Sequence, residues 1–479
     1  MSIKEVRKLV FPQNPFVLGN NPSRPAPQHI LNGFVAASLG TSDRGVEIKE
    51  LIAAGTSVPE GFDFIEQSNW KDDPAKLSAL RNDLSHVFNP DGRMWKDFGS
   101  PVPVHGLLAN SDPSDDGFGP LLWRMMEPFL TAEYERNLRG MFFPEQVADP
   151  VTACAMILVS GAKASAKRTV QVQDSAWFGP RGTKAGSILA ASLTDFLQNL
   201  TRPATAAKRL FQVQHLERGL YLTAVLALLM GPLASSIEDE VAGVEEISAM
   251  VAWADMPPGP PTHPMVAASG RSLQILIERM RVSLAITLSR ALSRQPFPST
   301  LPEGQRLRFA LAAQLGVSGA KAEDAIERLS KDAGVEVENV ELGDLEWCNR
   351  VVESAYSTDS ITKGLRSMGN KVGFIGPGRG VGTPRFFCET PLLGTLIAGL
   401  CPEDGIEFES FVDLARHRLG IVFGPGTEDN LAERLNLWEG AGIGGRILRD
   451  NQDALRERLV RAGLAREYSD GHTEVIYDA

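Results

Sequence analysis

The sequence predicts a mainly α-helical protein with small β-hairpins, built from several domains and ending in a winged helix-turn-helix. Between residues 151 and 300, apolar residues recur at three- and four-residue spacing, which is typical of packed helices. Near the end of the chain, three helix-like segments precede a hairpin-like segment, which is the element order of a winged helix-turn-helix. A length of 479 residues exceeds what one core accommodates, so we expect about three or four domains.

The first predicted domain, residues 1–150, is rich in loops. Its prolines cluster within sixteen residues, which is typical of an extended arm that wraps another surface. The prolines of this arm are Pro12, Pro15, Pro22, Pro25 and Pro27. Helices are expected at residues 28–38, 73–87 and 120–138.

The second predicted domain, residues 151–300, carries basic helices. We expect helices at residues 151–162, 185–200, 204–233, 238–254 and 267–293, and Gly231-Pro232 ends the apolar run within the third of them. Residues 162–218 contain nine Lys or Arg and three acidic residues. Residues 271–309 contain seven Lys or Arg and two acidic residues. Two basic segments in a protein of net charge −11 indicate either a local anionic contact or pairing with the chain's own acidic stretches. The basic candidates for nucleic-acid contact are Lys163, Lys167, Arg168, Arg279 and Arg281.

The third predicted unit, residues 301–370, contains a segment with the spacing of a helix-turn-helix. Residues 312–326 combine a small residue, a turn at Gly316 and an N-cap at Ser318 with apolar positions four apart. The second helix presents Glu323, Asp324 and Glu327, and acidic side chains repel phosphate. A plain helical hairpin is therefore favoured over a base-reading one.

The last predicted domain, residues 371–479, holds the winged helix. A glycine-rich loop at residues 376–382 joins two strand-like pieces, so it reads as a hairpin tip whose Arg379 could contact a nucleic-acid backbone. Three helices are expected at residues 389–400, 407–419 and 451–464. Residues 465–477 then form a hairpin, because β-formers flank the turn pair Asp470-Gly471.

The third helix of this unit is the candidate recognition helix. Arginine, asparagine and glutamine are the side chains that read guanine and adenine in the major groove. The candidates on this helix and on the wing are Arg449, Asn451, Gln452, Arg456, Arg458, Arg461 and Arg466. Seven arginines stand against eleven acidic residues over positions 425–479, whereas a dedicated duplex binder is usually basic. Duplex DNA and another protein subunit therefore both stay open as the ligand.

Motifs for catalysis or cofactors are weak. Glu47 and Lys49, with Asp43 nearby, have the carboxylate and lysine spacing of a metal-dependent nuclease, but no partner strand is evident. The letters GxGxxG at residues 440–445 follow a helical segment, so a dinucleotide site is not expected. Four cysteines without a CxxC pair predict reduced thiols and no zinc site. We therefore expect no metal or cofactor and lean against an enzyme, although a site assembled from distant residues stays an alternative.

Membrane insertion and export are not expected. The longest apolar run, residues 219–234, is shorter than the roughly 20 residues that a membrane span needs. The N-terminal residues carry charges and prolines without an apolar core between them, so a signal peptide is not predicted. We expect a cytoplasmic protein.

Three short stretches carry a resemblance to a known group of proteins. Residues 370–377 (NKVGFIGP), 391–393 (PLL) and 417–424 (HRLGIVFG) resemble the C-terminal parts of uncharacterised accessory proteins of bacterial phage-defence operons, the methylation-associated defence type among them. The resemblance covers the last quarter of the chain, and no catalytic residue carries over from it. It implies an accessory, non-catalytic subunit that works beside a methyltransferase or a nuclease.

These observations predict a non-enzymatic nucleic-acid-binding or assembly subunit of a bacterial defence or DNA-transaction complex. Other protein subunits and double-stranded DNA are the expected partners. A docking scaffold without DNA contact and a metal-dependent nuclease are the alternatives.

Overall fold

The computed structural model of the protein describes residues 27–40, 118–142, 183–202, 209–237, 241–255, 263–293, 358–376, 382–431 and 444–476. Most of these residues are helical and the strands are short, which confirms the mainly α-helical fold class. The helices before residue 300 are α1 (Pro27–Gly40), α2 (Phe118–Met126), α3 (Ala132–Phe142), α4 (Lys184–Asn199), α5 (Arg209–Ser236), α6 (Val244–Ile247) and α7 (Pro264–Ser293). Those after it are α8 (Thr358–Val372), α9 (Thr390–Leu400), α10 (Phe408–Leu419) and α11 (Gly445–Arg461).

Within the described residues, the strands are two or three residues long and form three small sheets. They are β1 (Met250–Val251), β2 (Ile375–Gly376), β3 (Arg385–Phe386), β4 (Ile406–Glu407), β5 (Ile421–Val422), β6 (Ala465–Glu467) and β7 (Thr473–Val475). Strands β1 and β5 pair in parallel, and β2 and β3 pair antiparallel. Strand β7 lies between β4 and β6 in an antiparallel sheet of order β4-β7-β6.

Helix α5 is the centre of the helical body. It is buried on all sides from Gly219 to Ala234 and packs against α1, α4, α7, α8 and α9. Among the described residues, Gln212–Ala234 is the one helical segment that is long and apolar enough to cross a membrane. The protein itself buries 94% of the apolar window in this segment, which is typical of a core helix.

Two predicted boundaries around this helix are wrong. Helix α5 continues through Pro232 to Ser236 because Leu233 and Ala234 are buried and Thr183 donates a hydrogen bond to the Ala234 carbonyl. The helix predicted over residues 238–254 is a single turn, α6, within the described residues 241–255. The chain then extends into β1 because Met250 N–H donates to the Gly420 carbonyl, outside any helix.

The C-terminal unit, residues 390–476, contains α9, β4, α10, β5, α11, β6 and β7. Its first two helices begin within one residue of the predicted positions, and α11 begins six residues earlier than predicted. Gly420 ends α10 in the left-handed conformation (φ 70°), where a side chain would meet the Ser248 carbonyl. The β6–β7 hairpin turns at Gly471 (φ 84°), as the Asp-Gly pair predicts.

Several predicted features lie outside the described residues. These are most of the proline-rich arm, the helices at 73–87 and 151–162, the helix-turn-helix spacing at 312–326 and the carboxylates and lysine at residues 43–49. The side chains of Lys163, Lys167, Arg168 and Arg379 also lie outside them. The predicted domain boundaries stay predictions.

A buried acid on α5 generates a first testable prediction. Burial raises the pKa of Glu217 to about 7, against a smaller opposing effect of Arg218. Because the folded protein then binds more protons than the unfolded chain between the ordinary pKa and 7, stability falls as the pH rises through that window. We expect Glu217→Gln to raise the thermal midpoint clearly at pH 8 and only slightly at pH 5.

The control is Glu278→Gln, which makes the same chemical change at an exposed position of α7. Glu278→Gln should change the thermal midpoint by the same amount at pH 5 and at pH 8. An equal effect of Glu217→Gln at pH 5 and pH 8 would contradict the assignment of a raised pKa.

Candidate functional site

The candidate site is built around α11, the predicted recognition helix. Leu448, Leu455 and Leu459 recur at seven- and four-residue spacing and are fully buried. They fix one side of the helix against the protein. Leu448 also belongs to a small second core that contains Trp253 and Met265, so α11 packs against the helical body as well as against its own unit.

Asn451 joins α11 to two backbone segments. Its side chain is 3% exposed, and its Oδ1 accepts a hydrogen bond from the Ala254 N–H at 3.0 Å. Its Nδ2 donates to the carbonyls of Ala252 at 3.0 Å and Phe423 at 2.7 Å. The carboxamide that was predicted to read a base is therefore fully occupied within the fold.

Two further candidates of α11 are also buried. The Gln452 Oε1 accepts a hydrogen bond from the Gly426 N–H at 2.8 Å. Arg458 donates to the Ala254 carbonyl at 2.9 Å and to the Thr390 hydroxyl at 3.1 Å. Burial lowers the pKa of this arginine, and the surrounding thiol and carboxyl groups partly oppose the shift. Neither side chain is available to a ligand while these contacts hold.

The remaining candidates lie at the surface of the C-terminal unit. Arg449, Arg461 and Arg466 are exposed. Arg456 is half-buried, because it forms salt bridges of 2.9 Å with Glu409 and 3.1 Å with Asp453. It also covers the Phe408 ring at 4.9 Å.

The exposed strip of α11 has balanced charges. Its outer positions are Arg446, Arg449, Asp450, Asp453, Glu457 and Arg461. Arg446 was missed by the sequence reasoning, and the basic residues at the start of the helix are the signal that could have revealed it. Three positive and three negative side chains on one strip do not generate the positive field that steers DNA to a binding helix.

The basic residues of α7 do not extend this strip. Arg279 is exposed and Arg281 is half-buried. The residues of α7 that share a core with Leu448 are Met265, Val266 and Ala268, near the beginning of the helix. Arg279 lies eleven positions after Ala268, which corresponds to about 16 Å along the helix axis.

A buried ionic cluster connects α10 to the rest of the protein. The Arg416 side chain is 1% exposed, and its Nε lies 3.1 Å from Glu245 Oε2 on α6. Its guanidinium also pairs with Asp413 at 2.9 Å and Glu428 at 3.4 Å. His417 Nδ1 lies 2.8 Å from the same Glu245 oxygen. Because Arg416 sits among these carboxylates, the cluster is an ion-pair network.

The described residues offer no metal site: no group of three or more His, Cys, Asp or Glu residues among them is placed to hold an ion. No protein-family model, curated protein or solved structure matches the chain. The geometry of α11 and of the hairpin that follows it is therefore what bears on function.

The role of Asn451 generates a second prediction. Asn451→Ala leaves one buried N–H and two buried carbonyls without their partner, so we expect a loss of at least about 2 kcal/mol in the free energy of unfolding. Urea denaturation followed by circular dichroism measures the change. The matched control is Arg449→Ala, two positions away and exposed, for which we expect a change within about 0.5 kcal/mol. Equal stability of the two variants would refute this role.

Proposed function

We propose that the chain is a non-enzymatic assembly subunit whose C-terminal unit is a winged helix-turn-helix used for protein docking. The observation that carries the proposal is the burial of Asn451, Gln452 and Arg458, the polar side chains on α11 that a base-reading helix would direct into a groove. In this protein they bind the backbone of residues 252–254 and 423–426 and the hydroxyl of Thr390.

The order of elements supports a winged helix. Helices α9, α10 and α11 are followed by the β6–β7 hairpin, which is the order of a winged helix-turn-helix. Strand β4, directly before α10, completes the hairpin to a three-stranded sheet. The C-terminal unit differs from a compact winged helix in the connection from α10 to α11. This connection is long, and its strand β5 pairs with β1 of the helical body.

Electrostatics favour protein over DNA as the ligand. Residues 425–479 contain seven arginines and eleven acidic residues, and the exposed strip of α11 is balanced. A duplex binder gains most of its affinity from phosphate contacts by Lys and Arg. A neutral to acidic surface instead suits a protein partner, for which charge complementarity determines specificity.

The cellular setting of the proposal rests on two observations. The resemblance of residues 370–424 suggests an accessory role beside a methyltransferase or nuclease in a bacterial defence complex. Cys388 and Cys401 are free and buried, and burial raises the pKa of Cys401 to about 12. Such thiols fit a reducing compartment, so we propose the cytoplasm.

A second candidate function is contact with duplex DNA through exposed arginines. Arg449, Arg461 and Arg466 are the exposed members of the predicted set within the C-terminal unit. Exposed arginines are suited to contact phosphates and guanine, whereas the side chains suited to reading adenine are buried. Phosphate contacts would position the duplex without reading its sequence.

A salt titration of duplex binding separates the two functions. For docking, we expect a labelled 20-base-pair duplex to bind no more tightly than about 10⁻⁵ M at physiological salt, within the range of non-specific binding. We also expect the triple variant Arg449→Ala, Arg461→Ala, Arg466→Ala to bind the duplex as weakly as the native chain does. Fluorescence anisotropy measures the duplex affinity of the native chain and of the triple variant. The salt concentration is varied from about 50 to 200 mM, because phosphate contacts weaken steeply over this range.

The matched control is Arg279→Ala, which removes an exposed arginine from α7 and leaves the C-terminal unit intact. Submicromolar duplex binding, with a salt slope that falls by about one for each arginine removed from the C-terminal unit, would establish DNA contact instead. If only Arg279→Ala lowers the affinity for the duplex, the DNA contact belongs to the helical body.

A further inference from the structure

The outer face of the terminal three-stranded sheet is a distinct surface, which we call the wing face. Side chains alternate along a strand, and Ala465, Thr473 and Val475 point inward and are buried. The outward positions are Arg466, Tyr468, His472, Glu474, Ile476 and, on β4, Glu407. No described element packs on Arg466, Tyr468, His472 or Glu407, all of which are exposed.

The wing face has an aromatic centre at its tip. Tyr468 is 39% exposed and, with Val282, one of two large apolar side chains that are exposed in the described part of the chain. Its ring lies 5.8 Å from the His472 ring, and its hydroxyl donates to Glu474 Oε2 at 2.7 Å. An exposed tyrosine held by local contacts is suited to binding, because little rotamer freedom is lost when a partner covers it.

The charges next to Tyr468 favour a cationic partner. Glu407 lies directly opposite Glu474 in the β4–β7 register, and like charges opposite each other destabilise a sheet. Arg466 lies opposite Glu474 on the other side of β7, so its charge offsets part of this repulsion, and the His472 Nδ1 lies 3.7 Å from the Glu407 Oε1. The exposed rim adds further carboxylates, at Glu403, Asp404, Glu467 and Asp470.

We propose that the wing face docks a protein segment that presents an arginine side chain. The guanidinium stacks on the Tyr468 ring and pairs with Glu407 and Glu474, where it relieves their mutual repulsion. The half-buried Ile476 receives a neighbouring aliphatic side chain at the base of the same face. Nucleic acid is a poor fit, because phosphates would meet the carboxylates. This inference rests on the proposed docking function and names the partner's chemistry.

The test selects peptides on the full-length protein. A random twelve-residue library displayed on phage is enriched on the native chain alone, and each enriched peptide is then measured on the native chain and on Tyr468→Ser. We expect the enriched peptides to contain arginine beside aliphatic residues and to bind the native chain at least about tenfold more tightly than Tyr468→Ser, as for an interface hot spot. Tyr468→Phe, which keeps the ring, should retain most of the affinity. An unchanged thermal midpoint in Tyr468→Ser verifies its fold.

A second pair of variants tests the charges. Glu407→Lys should weaken the selected peptides at least about tenfold, whereas Glu457→Lys makes the same charge change on the exposed strip of α11 and should leave them unaffected. Replacing the arginine of a selected peptide by glutamate should abolish its binding.

The outcomes that overturn the proposal are distinct from failure of the docking function. The wing face is excluded by an empty selection, by enrichment of acidic peptides, or by peptides that bind native chain and Tyr468→Ser equally. Equal binding would leave docking intact on another surface. If instead the labelled duplex binds submicromolar and Arg466→Ala weakens it, the docking function itself fails together with this assignment.

Discussion

The attachment of α11 to the helical body depends on the hydrogen bonds of one buried carboxamide. Strands β1 and β5 are two residues long, and the backbone bonds from Met250 to Gly420 and from Ala252 to Val422 are too few to fix their register alone. Asn451 continues this pairing past its end, because it accepts from Ala254 and donates to the carbonyls of Ala252 and Phe423. One side chain of α11 thereby holds a segment of the body and a segment of the C-terminal unit together.

Buried charges reinforce the same junction. Arg458 binds the Ala254 carbonyl on one side and Thr390 at the start of α9 on the other, while Arg416 pairs with Glu245 on α6. Buried ionic contacts add little net stability over apolar packing, but they hold only in one geometry. Together with the Trp253 and Leu448 core they fix the orientation of α10 and α11. The wing face and the balanced strip of α11 remain the outward surfaces of this unit.

The sequence predicted the long helices well, because their burial follows a 3.6-residue period that is visible in α4, α7 and α10. It failed at residues 250–254, since a two-residue strand leaves no alternation to detect and its partner is 171 positions away in Met250↔Ile421. The chemistry of Asn451 also defeated prediction. An adenine edge and a pair of peptide groups both present a donor and an acceptor, so the residue type that reads a base is also the one that bridges backbone segments.

Energetics make it unfavourable for α11 to exchange its internal contacts for DNA contacts. Freeing Asn451, Gln452 and Arg458 would leave several buried peptide groups unpaired, and each such group costs about 1–3 kcal/mol. A bidentate base contact returns about 1–3 kcal/mol, and only when the base is the correct one. Moving α11 away from the body to free these side chains would also expose Leu448 and Trp253, which share a core. The third helix is therefore a structural connection in this fold, and we propose that a partner binds surfaces that are already exposed. Among those, the wing face combines an accessible aromatic ring with unbalanced negative charge, which suits a cationic protein segment and opposes a phosphate backbone.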